Sequence, residues 1–175
     1  MINKKLKQQG TTLIEILITI SMITILLGVA FWGYRDRGRE LDLKRSALEL
    51  VANLEKTREM AMSSTIIGGG TERPEGGYGI RFIKNQTSYI LFADRTDNKS
   101  YDAGAGELDS TIFLKDGVSI TIVSPADTTD IVFSPPSPDV YINGSDTISA
   151  EITIGNSIRT EKIIINPAGL ISVED

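Results

Sequence analysis

The pattern of hydrophobic and polar positions divides the chain into three stretches with different periods. Residues 16–34 carry no charge and are dominated by Ile and Leu, and the apolar run begins a little earlier, at Thr11. As a helix rising about 1.5 Å per residue, residues 11–34 would extend about 36 Å, enough to cross a hydrocarbon layer of about 30 Å. Trp32 and Tyr34 fall at the far end of this run, where aromatic side chains favour a membrane interface.

Beyond the run the periodicity persists but becomes one-sided. Leu43, Ala47, Leu50, Leu54, Thr57 and Ala61 recur at alternating spacings of four and three, while Arg45, Glu49, Asn53, Lys56 and Glu59 fall on other faces. Residues 12 to about 64 therefore read as one long helix, apolar all round in its first half and striped in its second. Gly28, Gly33 and Gly38 are its weak points, since Gly costs about 1 kcal/mol against Ala inside a helix. Local bending or melting is expected there. The helical pattern stops at "IIGGGTERPEGG", whose glycines and proline break any regular period.

The third stretch reads as short strands. "YGIRFI", "SYILFA", "STIFL", "VSITIV", "DIVF", "ISAEITI", "EKIII" and "LISV" are rich in Ile, Val, Phe and Tyr and lack helical spacing. Asp116-Gly117, Asn143-Gly144, Gly155-Asn156 and Asn166-Pro167-Ala168-Gly169 supply the turns, and "SPPSP" reads as a stiff loop. Turns this short imply antiparallel neighbours, because a parallel crossover needs about a dozen residues or more. The expected fold class is α+β, with an antiparallel sheet covering the helix stripe.

Composition narrows the chemistry. At 175 residues the chain suits one compact domain plus an extra element. It has no Cys and no His, which removes disulfides, thiolate and imidazole metal ligands, and the usual general base of hydrolytic relays. No nucleophile-base pair announces itself, so the chain is read as not an enzyme, with no cofactor. A phosphate-loop reading of the glycine run fails for lack of the Gly-Lys-Ser/Thr ending.

Charge is unevenly spread. Lys4, Lys5 and Lys7 precede the apolar run, and without the first ten residues fifteen basic side chains face twenty-three acidic ones. By the lysines, the N-terminus is expected in the cytoplasm and the remainder outside. A body this acidic repels DNA and anionic headgroups, which argues against nucleic acid as a partner. Arg159 and Lys162 read as isolated, solvent-facing strand positions.

Within the apolar run one carboxylate stands out, in "QQGTTLIEILITI": Glu15. It fits an ordinary signal anchor, and Gly28-Val29-Ala30 offers a small-residue site for signal peptidase. Neither reading gives the acid a purpose. A charged side chain near the middle of a membrane helix costs about 2.5–3.5 kcal/mol on insertion scales and usually marks function.

"QGTTLIE" followed by an uninterrupted apolar run resembles the leader junction of type IV pilins and type II secretion pseudopilins. The resemblance implies cleavage by the membrane prepilin peptidase between Gly10 and Thr11, with N-methylation of Thr11, where the family usually has Phe or Met. It implies an assembly role for Glu15, the fifth mature residue, which would pair with the new amino group of Thr11 of a neighbouring subunit. Gly10 suits a tight protease site because it has no Cβ.

The implied organisation is a leader at 1–10, a membrane and filament-core helix at 11–34, an amphipathic continuation at 35–64 and an antiparallel globular domain at 65–175. The implied partners are prepilin peptidase, other pilin or pseudopilin subunits, an inner-membrane assembly platform and, before assembly, membrane lipid. "KTREMAMSS", "YGIRF", "YILFADRTDN" and "GVSITIV" are similar to minor pseudopilin H and FimT-like minor pilins. A non-cleaved, membrane-tethered binding domain and a major pilin are the competing readings.

One acidic loop merits separate notice. Asp94, Asp97, Asn98 and Asp102 supply hard oxygen donors of the kind calcium takes, but their spacing fails the EF-hand pattern. A solvated hairpin loop is the competing reading, and no metal is assigned.

Overall fold

A computed structural model describes residues 12–63, 73–135 and 139–174. It is α+β: among the described residues one helix, α1 (Leu13–Ser63), precedes nine strands. The strands are β1 (Gly77–Ile83), β2 (Ser88–Asp94), β3 (Leu108–Phe113), β4 (Ser119–Ser124), β5 (Thr128–Phe133), β6 (Val140–Ile142), β7 (Ala150–Gly155), β8 (Thr160–Ile165) and β9 (Ile171–Glu174). The chain divides into two compact units, one before and one after the Gly38–Arg39 junction.

The first unit contributes the start of α1. Leu13–Ala30 has a mean hydropathy of 2.4 and none of it is buried, so this segment is long and apolar enough to cross a membrane. Its hydroxyls are satisfied within the helix, as lipid would require. Thr19 Oγ1 donates to the Ile16 carbonyl, Ser21 Oγ to Leu17 and Thr24 Oγ1 to Ile20, each at 2.8 Å. Melting at the glycines is not found: Gly28, Gly33 and Gly38 all lie within the helical span of α1. Propensity is a weak term beside the hydrogen bonds of the apolar turns on either side.

The second unit, from Arg39 onward, holds the core. All six stripe residues are buried: Leu43, Ala47, Leu50, Leu54, Thr57 and Ala61. The five apolar ones join one cluster with Ile80, Phe82, Tyr89, Ile120, Ile152, Ile163 and Ile165 from the strands. Thr57 enters this apolar setting with its hydroxyl bonded to the Asn53 carbonyl at 2.6 Å, which offsets the cost of burying it.

The expectation of one sheet is corrected to two. Five strands run in the order β3-β2-β1-β5-β6 and four in the order β4-β7-β8-β9, every pair antiparallel. Asp116-Gly117 is accordingly not a hairpin, for it joins the edge strand β3 of one sheet to the edge strand β4 of the other. The chain is tied down at this crossing, where Leu114 N donates to the Thr87 carbonyl at 2.9 Å and Lys115 N to Ser46 Oγ on α1 at 3.1 Å. The short strand β6, absent from the sequence reading, pairs with β5 through Ile131↔Ile142 and Phe133↔Val140.

Candidate functional site

Two places carry the sequence-predicted residues, the start of α1 and the loop after β2. Gly10 and Thr11 lie outside the described residues, as does the rest of the 1–10 leader. At the start of α1, Thr12 precedes the first helical residue, and its Oγ1 accepts the Glu15 N–H at 3.4 Å. Thr12-Leu13-Ile14-Glu15 has the sequence of a capping box, of which this bond is the Thr12 half, with Glu15 in the first helical turn. This carboxylate lies in the first turn of the helix, where unsatisfied backbone N–H groups favour a negative charge. Glu15 remains the only charged residue of Leu13–Ala30.

The loop between β2 and β3 is built on three buried carboxylates, Asp94, Glu107 and Asp130. Asp94 accepts the N–H of Asn98 at 3.3 Å and of Lys99 at 2.9 Å. Glu107 accepts the N–H of Arg95 at 3.1 Å, of Thr96 at 3.3 Å and of Asp102 at 2.7 Å. Asp130 accepts the N–H of Tyr101 at 3.1 Å, the hydroxyl of Ser100 at 2.8 Å and both arms of Arg81. A loop without its own ladder therefore sends its backbone donors to side chains, as burial demands.

The four residues weighed as calcium donors do come together here, but in other roles. Asp97 pairs with Lys99, and Asn98 Nδ2 donates to Asp102 Oδ2 at 2.7 Å. The Lys99 ammonium also donates to the Gly76 carbonyl at 3.2 Å and to Ser134 Oγ at 3.0 Å, and stands 5.2 Å from the centroid of the Tyr141 ring. It thus bridges three segments. Burial pushes the Asp94 carboxyl above its usual range, opposed by the N–H groups of Lys99 and Asn98. Gly76 is required beside it, since a Cβ there would lie 2.1 Å from Asp94 Oδ2.

Sequence reasoning missed Glu107 and Asp130. Asp130 stands directly opposite Arg81 in the β1–β5 register, so its role becomes readable only once that pairing is known. Arg159, expected on a strand, sits in the turn between β7 and β8 and pairs with Glu40 of α1 at 3.1 Å. Lys162 pairs with Glu174 across β8 and β9 at 2.5 Å.

No protein-family model, curated protein or solved structure matches the chain.

Proposed function

We propose that the chain is a minor subunit of a type IV pilus or type II secretion pseudopilus. In this reading it is made with a leader, cut between Gly10 and Thr11 by prepilin peptidase, methylated on Thr11 and drawn from the inner membrane into a filament. The observation that carries the reading is Glu15, the single charge of an otherwise apolar, fully exposed segment that opens a 51-residue helix. The later part of the same helix supplies the core stripe of an antiparallel β domain, the layout that a pilin-like subunit requires.

In the assembled state Glu15 would neutralise the Thr11 amino group of a neighbouring subunit. A charge pair in an apolar setting fixes the stagger of adjacent helices even where its net stability is modest. The outward orientation rests on the leader resemblance rather than on charge counting, because Arg35, Arg37 and Arg39 flank the span as densely as Lys4, Lys5 and Lys7 do.

A second reading is a non-cleaved anchor carrying an extracytoplasmic binding domain, in which Thr12 caps the helix and Glu15 adds only a negative charge to its first turn. Mass spectrometry of the natural N-terminus separates the two. The filament reading expects methylated Thr11, a simple anchor Met1, and signal peptidase cleavage Phe31. Finding either of the latter would remove the proposed pairing.

A further inference from the structure

Resting on the membrane reading above, we infer that the turn between β7 and β8 is a foot that contacts anionic phospholipid headgroups. The turn is shaped and anchored by one residue. Asn156 Oδ1 accepts the N–H groups of Ile158 at 2.9 Å and Arg159 at 3.0 Å, while its Nδ2 donates to the Arg39 carbonyl on α1 at 2.8 Å. Two further bonds fasten the same place, Arg159 to Glu40 at 3.1 Å and Arg39 Nη1 to Ser157 Oγ at 3.4 Å. Ile158 is 42% exposed at the tip.

The position of this anchor along the chain decides the occupant. Arg39 follows the charge-free run by only five residues, so the length of chain alone keeps it close to the end of that run and within reach of a headgroup layer. Charge agrees. Residues 35–45 hold five basic and three acidic side chains, whereas residues 46–175 hold ten basic and nineteen acidic. An acidic body thus has a basic collar at the one place where chain length brings it to the membrane, and the turn adds Arg159 to that collar. An aliphatic tip flanked by arginines suits an interface where apolar atoms enter the acyl boundary and guanidinium groups stay with phosphate.

The test uses the full chain with Trp32→Phe, which removes the sole native Trp, and Ile158→Trp as a reporter. The protein is reconstituted into phosphatidylcholine liposomes with or without phosphatidylglycerol, with acyl chains brominated near the headgroup. Contact predicts that the indole emission of this Ile158→Trp reporter is quenched about twofold when phosphatidylglycerol is present, and that Arg39→Ser with Arg159→Ser reduces the quenching. Protein that floats with the liposomes but shows no quenching overturns the foot and leaves the membrane reading intact. Protein that fails to float overturns both. Quenching that ignores phosphatidylglycerol, or emission shifts that vanish on dilution into excess lipid, would assign the face to bare hydrocarbon or to a second copy and overturn the inference.

Discussion

Arg81 and Asp130 face each other across the β1–β5 pair with both guanidinium contacts at 2.6 Å, a two-pronged ion pair in which the carboxylate is almost fully buried. The bond to Asp130 holds the Arg81 guanidinium above its already high pKa, and Tyr101 covers the cation at 4.8 Å. Removing one partner strands the other. Asp130→Ala is expected to cost about 3–5 kcal/mol in urea unfolding of the detergent-solubilised chain, whereas an apolar pair of similar volume at both positions should recover part of that loss, with the Tyr101 N–H and the Ser100 hydroxyl still left without Asp130. Equal losses for the single and double variants would show that the pair itself, and not the stranded charge, matters.

Tyr89 is the second group whose surroundings set its chemistry. Burial raises its pKa to about 12, partly offset by the donor Asn53, whose Nδ2 lies 2.8 Å from the phenolic oxygen. Since the folded value exceeds the ordinary one of about 10, the native state keeps the proton longer than the unfolded chain. Stability from this group is complete below about pH 10 and declines as pH rises toward 12. An ultraviolet titration should show a late phenolate that Tyr89→Phe removes, and Asn53→Ala should shift it later still.

The helix stripe gives a sharper contrast. Leu50 is fully buried, while Leu48 on a neighbouring face is 68% exposed. Leu50→Ala should cost about 2–5 kcal/mol by leaving a cavity in the core. Leu48→Ala should change stability by less than about 0.5 kcal/mol. Thermal denaturation of the two variants side by side would reveal an incorrect helix facing as a reversed order.

Glu15 distinguishes pairing from capping. Gln at this position can still serve a capping box but carries no charge. If the carboxylate meets an amine, Glu15→Gln and Glu15→Ala should both lower incorporation into sheared filaments by about tenfold, the ratio given by about 1.4 kcal/mol of lost pairing. If the residue only starts the helix, Gln should behave as the parent and Ala alone should suffer.

The helix was readable from sequence because its spacing repeats over many turns, and the expected residues 12 to about 64 correspond to Leu13–Ser63. Eight of the nine strands were readable from their β-branched and aromatic runs. The division into two sheets was not, since Asp116-Gly117 looks like any hairpin turn and nothing local says that β4 will pair with β7, many residues onward. Strand β6 was missed because three residues between a proline-rich segment and a turn carry too little period. The acidic loop shows the same limit in chemical form. Asp94 was visible as a donor, but which N–H groups it would accept depended on contacts made only after folding.

Lys99 gives that loop its lasting property. The cation that knots Gly76, Asp97 and Ser134 together is covalently part of the polypeptide, so it is present at one equivalent in every molecule, whatever the surrounding medium contains. Dilution leaves it in place, and salt concentrated enough to screen a partly buried charge should loosen the knot.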